Sequence, residues 1–132
     1  MNENTNENEE DLRPIYAFGH VEMQVQDIKK SGDFFLKIGL REVILDENFI
    51  ILEVRGGTHL ILSPTTDVIK PGTQAPFDLM VDDIPSVHKM FLDLDLTPTE
   101  VEDNSIHKYF TVVEPGGHTV LVNSSHATGL PV

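Results

Sequence analysis

Cysteine is absent from this chain of 132 residues. Disulfides, thiolate metal sites and a cysteine nucleophile are therefore excluded, which is compatible with a reducing compartment. Long apolar runs are absent too, because no stretch approaches the roughly 18 residues that cross a bilayer. The first residues also lack the basic start and apolar segment of a secretory signal. These absences predict a cytoplasmic protein with no membrane partner.

Basic residues are scarce. The chain holds nine Lys and Arg against 22 Asp and Glu, which gives a formal net charge of −13. Nucleic acids and anionic membrane surfaces are bound by clustered Lys and Arg, so neither is an expected partner. A cationic or neutral small molecule is easier to accommodate. The alternative interpretation is that the acidity only keeps the protein in solution.

One stretch of the sequence is repeated within the chain. Three features return 56 positions later: Val25-Gln26-Asp27-Ile28 as Val81-Asp82-Asp83-Ile84, Phe35 as Phe91, and Leu40 as Leu96. A fixed offset at several separate places is the signature of an internal repeat. The chain is therefore predicted to contain two copies of one structural unit.

The first unit, at about 15–63, is predicted to be one strand, one helix and three short strands. Val21, Met23 and Val25 alternate with polar residues, as in a strand with one buried face. Asp27 stands where a helix N-cap is expected, and Gly39 stands where that helix would end. The three further strands are predicted at residues 42–45, 49–55 and 59–62.

The second unit, at about 76–125, repeats this order. Phe77 and Leu79 belong to the apolar face of a strand, and Asp83 is placed to cap the following helix. The glycine pair at 116–117 corresponds to the pair at 56–57 with an offset of 60. His118, which follows it, is interpreted as a turn residue. The remaining strands are predicted at residues 97–101, 108–113 and 119–123.

The predicted organisation is a single domain at 14–125 between two tails. Residues 1–13 are nearly free of apolar side chains and are predicted to form a disordered acidic tail. The linker between the units is placed at 64–75, and a C-terminal tail at 126–132. The fold class is α+β: two tandem βαβββ units form a curved mixed-sheet cup with the helices on the outside.

This arrangement resembles the vicinal oxygen chelate superfamily, which includes glyoxalases, bleomycin-resistance proteins and extradiol dioxygenases. The resemblance is carried by residues 19–28, which lead to Phe34-Phe35 and to Ile38-Gly39-Leu40. It is also carried by Glu114-Pro115-Gly116-Gly117-His118, which is similar to the Asp-Pro-x-Gly-Asn/His hairpin of the superfamily. The resemblance implies the fold predicted above and a homodimer, in which units are sometimes exchanged between chains.

In metal-dependent members of the superfamily, the ligands point into the cup. The resemblance places the four ligand positions on His20, Ile61, Pro76 and Leu121. A divalent ion needs three or more N or O donors around one point, and these positions supply one imidazole. The resemblance therefore implies the metal-free branch, with no metal site, no cofactor and no catalytic residues to assign.

The cup itself is predicted to have an apolar centre with acids at its flanks. Such a mixed lining is typical of a pocket that binds a small molecule. The alternative is that the same side chains simply fill the cup. The side chains predicted to line it are His20, Glu22, Gln24, His59, Ile61, Asp78, Met80, Thr119 and Leu121.

Three hypotheses about function follow. The preferred one is a metal-free protein that sequesters or senses a small, cationic or aromatic ligand in the cup. The second is a metal-dependent lyase or dioxygenase with rearranged ligands from His20, Glu22 and His59. The third is a dimeric interaction protein whose cup is filled.

Overall fold

The computed structural model describes residues 11–125. Most of the predicted acidic tail and the whole predicted C-terminal tail lie outside the described residues. None of the helices within 11–125 is long and apolar enough to cross a membrane. The elements are β1 (His20–Val25), α1 (Ile28–Lys37), β2 (Arg41–Leu45), β3 (Ile50–Glu53), a 3-10 turn (Arg55–Gly57), β4 (His59–Pro64), β5 (Gln74–Val81), α2 (Ile84–Asp93), β6 (Glu102–Asp103), β7 (Lys108–Val113) and β8 (Thr119–Ser124).

Each unit forms a four-stranded mixed sheet in which the first and last strands are neighbours. The strand order is β1-β4-β3-β2 in the first unit and β5-β8-β7-β6 in the second. The first and last strands pair in parallel, and the other pairs are antiparallel. This confirms the predicted α+β class with two βαβββ units.

Both helices begin at an aspartate, as the repeat predicts. The side chain of Asp27 accepts a hydrogen bond from the backbone N–H of Lys30, and Asp83 accepts one from Ser86. An N-cap oxygen of this kind satisfies a helical N–H that has no partner within the helix. The hydrogen bond from the Ser86 backbone also lowers the pKa of Asp83.

The core lies between the helices and one face of each sheet. Met23 and Val25 of β1 are buried, and the polar residues between them are exposed. The ring of Phe35 in α1 lies 6.0 Å from the ring of Phe77 in β5, measured between centroids. Since α1 reaches a residue of the second sheet, the helix-covered faces of the two sheets are continuous. The opposite faces, here called the helix-free face, therefore lie together on the other side.

The two sheets meet where β1 and β5 lie side by side, and this meeting line is called the junction. The register of β5 against β8 shifts between Gln74, which lies opposite Thr119, and Asp78, which lies opposite Leu121. Pro76 falls within this irregular stretch. Proline has no N–H to donate to a neighbouring strand, which explains why regular pairing is interrupted there.

The prediction of a strand at residues 97–101 is wrong. The structure places a two-residue strand at Glu102–Asp103 instead. Thr99 nevertheless accompanies β7, because its backbone N–H donates to the Thr111 carbonyl at 2.8 Å and its hydroxyl accepts from the Thr111 N–H at 2.8 Å. The side chain of Thr99 thus accepts a hydrogen bond that a backbone carbonyl would accept in a regular strand pair. Pro98 before it has no N–H to donate to a neighbouring strand.

Candidate functional site

The predicted cup residues all fall on the helix-free face. Along each strand, residues on this face alternate with residues buried under the helices, as a two-residue period requires. The exposed members are His20, Glu22, Gln24, Asp78 and Met80, and the half-buried members are His59, Ile61, Thr119 and Leu121.

A polar row crosses the first sheet on this face. His20 lies opposite His59, His59 lies opposite Glu53, and Glu53 lies opposite Arg41. The guanidinium of Arg41 donates to Glu53 Oε1 from Nη2 at 2.7 Å and from Nε at 3.0 Å. Sequence reasoning missed Glu53 and Arg41, although the alternation in β3 places Glu53 on the same face as Ile51.

An acid lies opposite an alkyl side chain in the strand pair next to the junction in each sheet. Glu22 of β1 pairs with Ile61 of β4, and Asp78 of β5 pairs with Leu121 of β8. The two acids are 56 positions apart and the two alkyl residues are 60 apart, so these pairs are equivalent in the repeat. The helix-free face therefore has carboxylates on the strands at the junction and alkyl groups one strand further out, which is the reverse of the predicted apolar centre with acidic flanks.

Both carboxylates are held in place by the last strand of their own unit. The Ser63 hydroxyl donates to Glu22 Oε2 at 2.7 Å, and the Asn123 amide donates to Asp78 Oδ2 at 2.6 Å. Serine and asparagine are neutral, so these bonds orient the acids without neutralising them. The pair of acids makes this surface attractive to a cationic group.

The residues present do not fit a protein-held divalent ion. Within residues 11–125, no group of three or more His, Cys, Asp or Glu side chains could hold a metal ion. That includes the rearranged set of His20, Glu22 and His59, even though two of its members are directly opposite each other. At the other ligand positions of the superfamily, Ile61, Pro76 and Leu121 offer no N or O side-chain donor.

A cavity of about 510 Å³ lies at the junction, between the beginning of β1 and the end of β5, and is called the junction cavity. Pockets of roughly 300–1,000 Å³ are typical of small-molecule sites. Its wall is mainly apolar and comes from both units. Three predicted cup residues line it: His59, Asp78 and Met80.

Polar contacts border the junction cavity. Nη1 of Arg55, in the 3-10 turn of the first unit, lies 3.1 Å from Oδ2 of Asp82 in the second unit. Thr58 donates its hydroxyl hydrogen to the backbone carbonyl of Phe18 at 2.8 Å. These contacts join the turn before β4 to the second unit and to the chain before β1.

The opposite end of the junction contains a buried carboxylate, next to a groove of about 330 Å³ that His118 helps to line. Oε1 of Glu114 accepts hydrogen bonds from the Ser31 hydroxyl at 2.6 Å and the Gly116 N–H at 2.8 Å. Oε2 accepts from the backbone N–H of His118 at 3.0 Å and from its ring Nδ1 at 2.9 Å. A buried carboxylate needs such partners, and four donors satisfy it.

The interpretation of His118 as a turn residue was incomplete. Its ring is buried, and a carboxylate can only accept, so Nδ1 carries the hydrogen that Glu114 receives. Ser31 lies in α1 of the first unit, so the group of Glu114, Ser31 and His118 joins the two units. Sequence reasoning did not find this contact because its partners are 83 positions apart.

Comparison with known proteins identifies the fold. No protein-family profile and no curated protein matches the sequence. A lactoylglutathione lyase from Agrobacterium tumefaciens superposes with a TM-score of 0.71 at 17% identity, over 89% of this chain and 100% of that chain. An antibiotic-binding protein from a Streptomyces species gives a TM-score of 0.72 at 16% identity, over 85% and 98%.

A third solved structure carries the superfamily's name. It is a member of the glyoxalase/bleomycin resistance protein/dioxygenase superfamily from Sphaerobacter thermophilus, with a TM-score of 0.69 and 23% identity. The match covers 84% of this chain and 98% of that chain. Identities this low establish the fold alone. The protein has the vicinal oxygen chelate fold, as its sequence predicts.

Proposed function

We propose that this protein is a metal-free small-molecule-binding protein, which sequesters or senses a small cationic or aromatic ligand at the junction of the two sheets. The observation that carries the proposal is the junction cavity of about 510 Å³, whose wall is mainly apolar. Burial of apolar ligand surface contributes roughly 25 cal/mol per Å². The cytoplasmic location stays a prediction from the sequence.

The charges near the junction favour a cation over an anion. Glu22 and Asp78 are oriented by Ser63 and Asn123, whose neutral side chains do not compensate the charge of a carboxylate. The whole chain has a formal net charge of −13, so its long-range field also attracts cations. These features support a ligand with an apolar body and at most one positive group.

Recognition without turnover is the role that the side chains support. Ile61 and Leu121 place alkyl groups at two of the positions that the resemblance assigns to metal ligands, and chemistry that depends on a Lewis-acidic ion needs N or O donors there. One structure of similar fold belongs to an antibiotic-binding protein, which supports small-molecule binding as a use of this fold. Fold alone does not identify the ligand, so the proposal stops at its chemical class.

Calorimetric titration and thermal-shift measurements test the proposal. The panel contains cationic aromatic compounds, neutral aromatic compounds and anionic aromatic compounds of similar size. We expect at least one cationic or neutral member to bind and raise the melting temperature, with the same affinity after exhaustive treatment with a chelator. Uniform absence of binding heat and of thermal shift would contradict the proposal. Affinity that disappears with the chelator would contradict its metal-free part.

A second proposal, assembly with another copy of the chain, is supported by the segment at residues 12–18, called the arm. Four of its side chains are large, apolar and highly exposed: Leu12 at 66%, Ile15 at 90%, Tyr16 at 85% and Phe18 at 83%. Contiguous apolar surface of this kind marks protein contacts. A second copy is the partner that the superfamily resemblance implies, so we propose a homodimer in which the arm packs on the partner chain.

Sedimentation equilibrium measures this assembly directly. We expect the wild type to be dimeric and the double variant Ile15→Asp with Tyr16→Asp to shift toward monomer, because a charge in an apolar contact is costly. Val68→Asp is the matched control, since Val68 is also apolar and 79% exposed but lies outside the arm. A monomeric wild type, or equal shifts in both variants, would count against the arm contact.

A further inference from the structure

We infer that the ligand inserts an aromatic ring system into the junction cavity, between β1 and β5, with a cationic substituent directed toward Asp78. This inference depends on the proposed function and adds two things to it. It specifies where at the junction the ligand binds, and which part of the ligand each wall recognises.

The repeat shows why the cavity exists at one end of the junction. Residues 54–58, called the open turn, are related to residues 114–118, called the packed turn, by the offset of 60. At the packed turn Glu114 and His118 fill the space against α1. Their equivalents in the open turn are Val54 and Thr58, which are smaller and carry no ionisable group.

The two helices also differ at the equivalent position, which is polar in α1 and apolar in α2. The packed turn bonds to the buried hydroxyl of Ser31 in α1. The equivalent position in α2, 56 residues later, is Val87, which packs against the core. An apolar side chain offers no hydrogen bond, so the bond from Ser31 to Glu114 has no equivalent between Val87 and the open turn.

The glycines of the two turns show the difference in space. A Cβ added to Gly116 would lie 2.7 Å from Glu114 Oε2 and 2.9 Å from Val25 Cγ1, so the packed turn is in tight contact. A Cβ added to Gly56 or Gly57 would meet no atom of the described residues within 4 Å. The open turn therefore leaves room at the place where its equivalent is closely packed.

The wall of the cavity suits an aromatic ring. Val21 and Leu60 line it from the first unit, and Phe77 and Leu79 line it from the second. Aliphatic side chains bury the faces of a planar ring, and Phe77 can make an offset-stacked or edge-to-face contact with it. A flat ring system also fits the space between two adjacent strands better than a bulky group does.

The charges at the cavity favour one positive group on that ring. Arg55 is paired with Asp82 at 3.1 Å, so these two charges compensate each other. Asp78 also lines the cavity, and its carboxylate is bound by the neutral amide of Asn123. The negative charge of Asp78 is thus available to a cation, and an anionic ligand would be repelled.

Fluorescence titration with the cationic acridine dye proflavine tests this placement, with the anionic dye anilinonaphthalene sulfonate for comparison. We expect proflavine to bind more tightly than the anionic dye. Val54→Phe fills the cavity from the first unit and Met80→Trp fills it from the second, so each should weaken proflavine binding by about tenfold or more. Asp78→Asn should reduce the preference for the cation severalfold.

Val68→Phe is the control, because it adds the same bulk at an exposed position outside the cavity. Circular dichroism selects folded variants, and two blocking variants from different units keep the test valid if one does not fold. Proflavine affinity that survives both blocking variants would overturn this inference and leave the proposed function intact. A wild type that binds neither dye nor any compound of the wider panel would overturn both.

Discussion

The packed turn and the open turn occupy equivalent places at the two ends of the junction, and they differ in chemistry. At the packed turn, Glu114 bonds to Ser31 across the units at 2.6 Å in a buried setting. At the open turn, Arg55 bonds to Asp82 across the units at 3.1 Å in an exposed setting. The packed end of the junction is thus held by a buried contact beside a groove of about 330 Å³, and the open end by an exposed contact beside the junction cavity of about 510 Å³.

This difference illustrates how a duplicated unit acquires a site. The backbone of the repeat is kept, while a few side chains decide whether a turn fills the junction or leaves it open. Glu114 is matched by Val54, and Ser31 is matched by Val87. Fold and site are therefore separable, because the fold follows from the repeat and the site follows from where the repeat is broken.

The largest expected effect comes from Glu114→Ala. The substitution removes the acceptor of four hydrogen bonds and leaves buried donors without a partner, so we expect the free energy of unfolding to fall by about 3–5 kcal/mol. Urea unfolding measures this change in the free energy of unfolding. Val54→Ala is the matched control at the open turn and should cost clearly less. Equal losses in the two variants would remove the distinction between the turns.

Ser31→Ala should have the next largest effect. The Ser31 side chain is fully buried, and its bond to Glu114 is the buried hydrogen bond between the units at the packed turn. Loss of one hydrogen bond to a charged acceptor is expected to cost about 1.5–3 kcal/mol. A double-mutant cycle with Glu114→Gln should show coupling between the two positions. Strict additivity in that cycle would show that the bond contributes little to the packed turn.

Arg55→Ala should change stability only slightly. The side chains of Arg55 and Asp82 are 62% and 69% exposed, and exposed ion pairs contribute about 0–1 kcal/mol. Urea unfolding of Arg55→Ala and of Asp82→Ala should therefore give curves close to the wild type, more so at high salt. A loss as large as that of Ser31→Ala would show that the open end is also held by its polar contact.

A pH-dependent effect is expected at Asp83, and it tests whether the units are equivalent away from the turns. The pKa of Asp83 is lowered by the hydrogen bond from Ser86. Its stabilising contribution is therefore present above the unfolded value of 3.8 and is lost as pH falls through the folded pKa. Asp83→Ala should lower the urea midpoint at pH 7.

In acid, the difference between Asp83→Ala and the wild type should disappear, because the wild-type carboxyl is then protonated in both states. Asp27→Ala removes the equivalent cap of α1 and serves as the comparison. At pH 7 it should lower the urea midpoint by a similar amount. A difference for Asp83→Ala that persists below the folded pKa would point to a packing change instead of a lost cap.

The sequence predicted the parts of the fold that depend on local pattern. Alternation in β1 and the cap at Asp27 are set by near neighbours, and the offset of 56 transfers both to the second unit. The same alternation put the nine cup residues on one face. The prediction of a strand at 97–101 was wrong because that segment contains Pro98 and because Thr99 bonds to β7 partly through its side chain.

The candidate site was harder to predict because it depends on contacts between distant residues. Both turns carry a Gly-Gly pair, so by sequence they look alike. Only the structure shows that Glu114 reaches Ser31 while the open turn has space beside it. The junction cavity arises from that difference, and the apolar wall residues Phe77 and Leu79 were interpreted simply as the buried face of a strand.

The parallel pairing of first and last strands also bears on how the chain is completed during synthesis. The first unit holds all four of its strands once residue 64 has left the ribosome, so its sheet can close early. The hydroxyl of Ser31, however, receives its acceptor only when Glu114 emerges. The interior of the unit that is made first is therefore completed only when most of the second unit has been made, and we expect a nascent chain stalled between these points to expose that flank of α1 to chaperones and proteases.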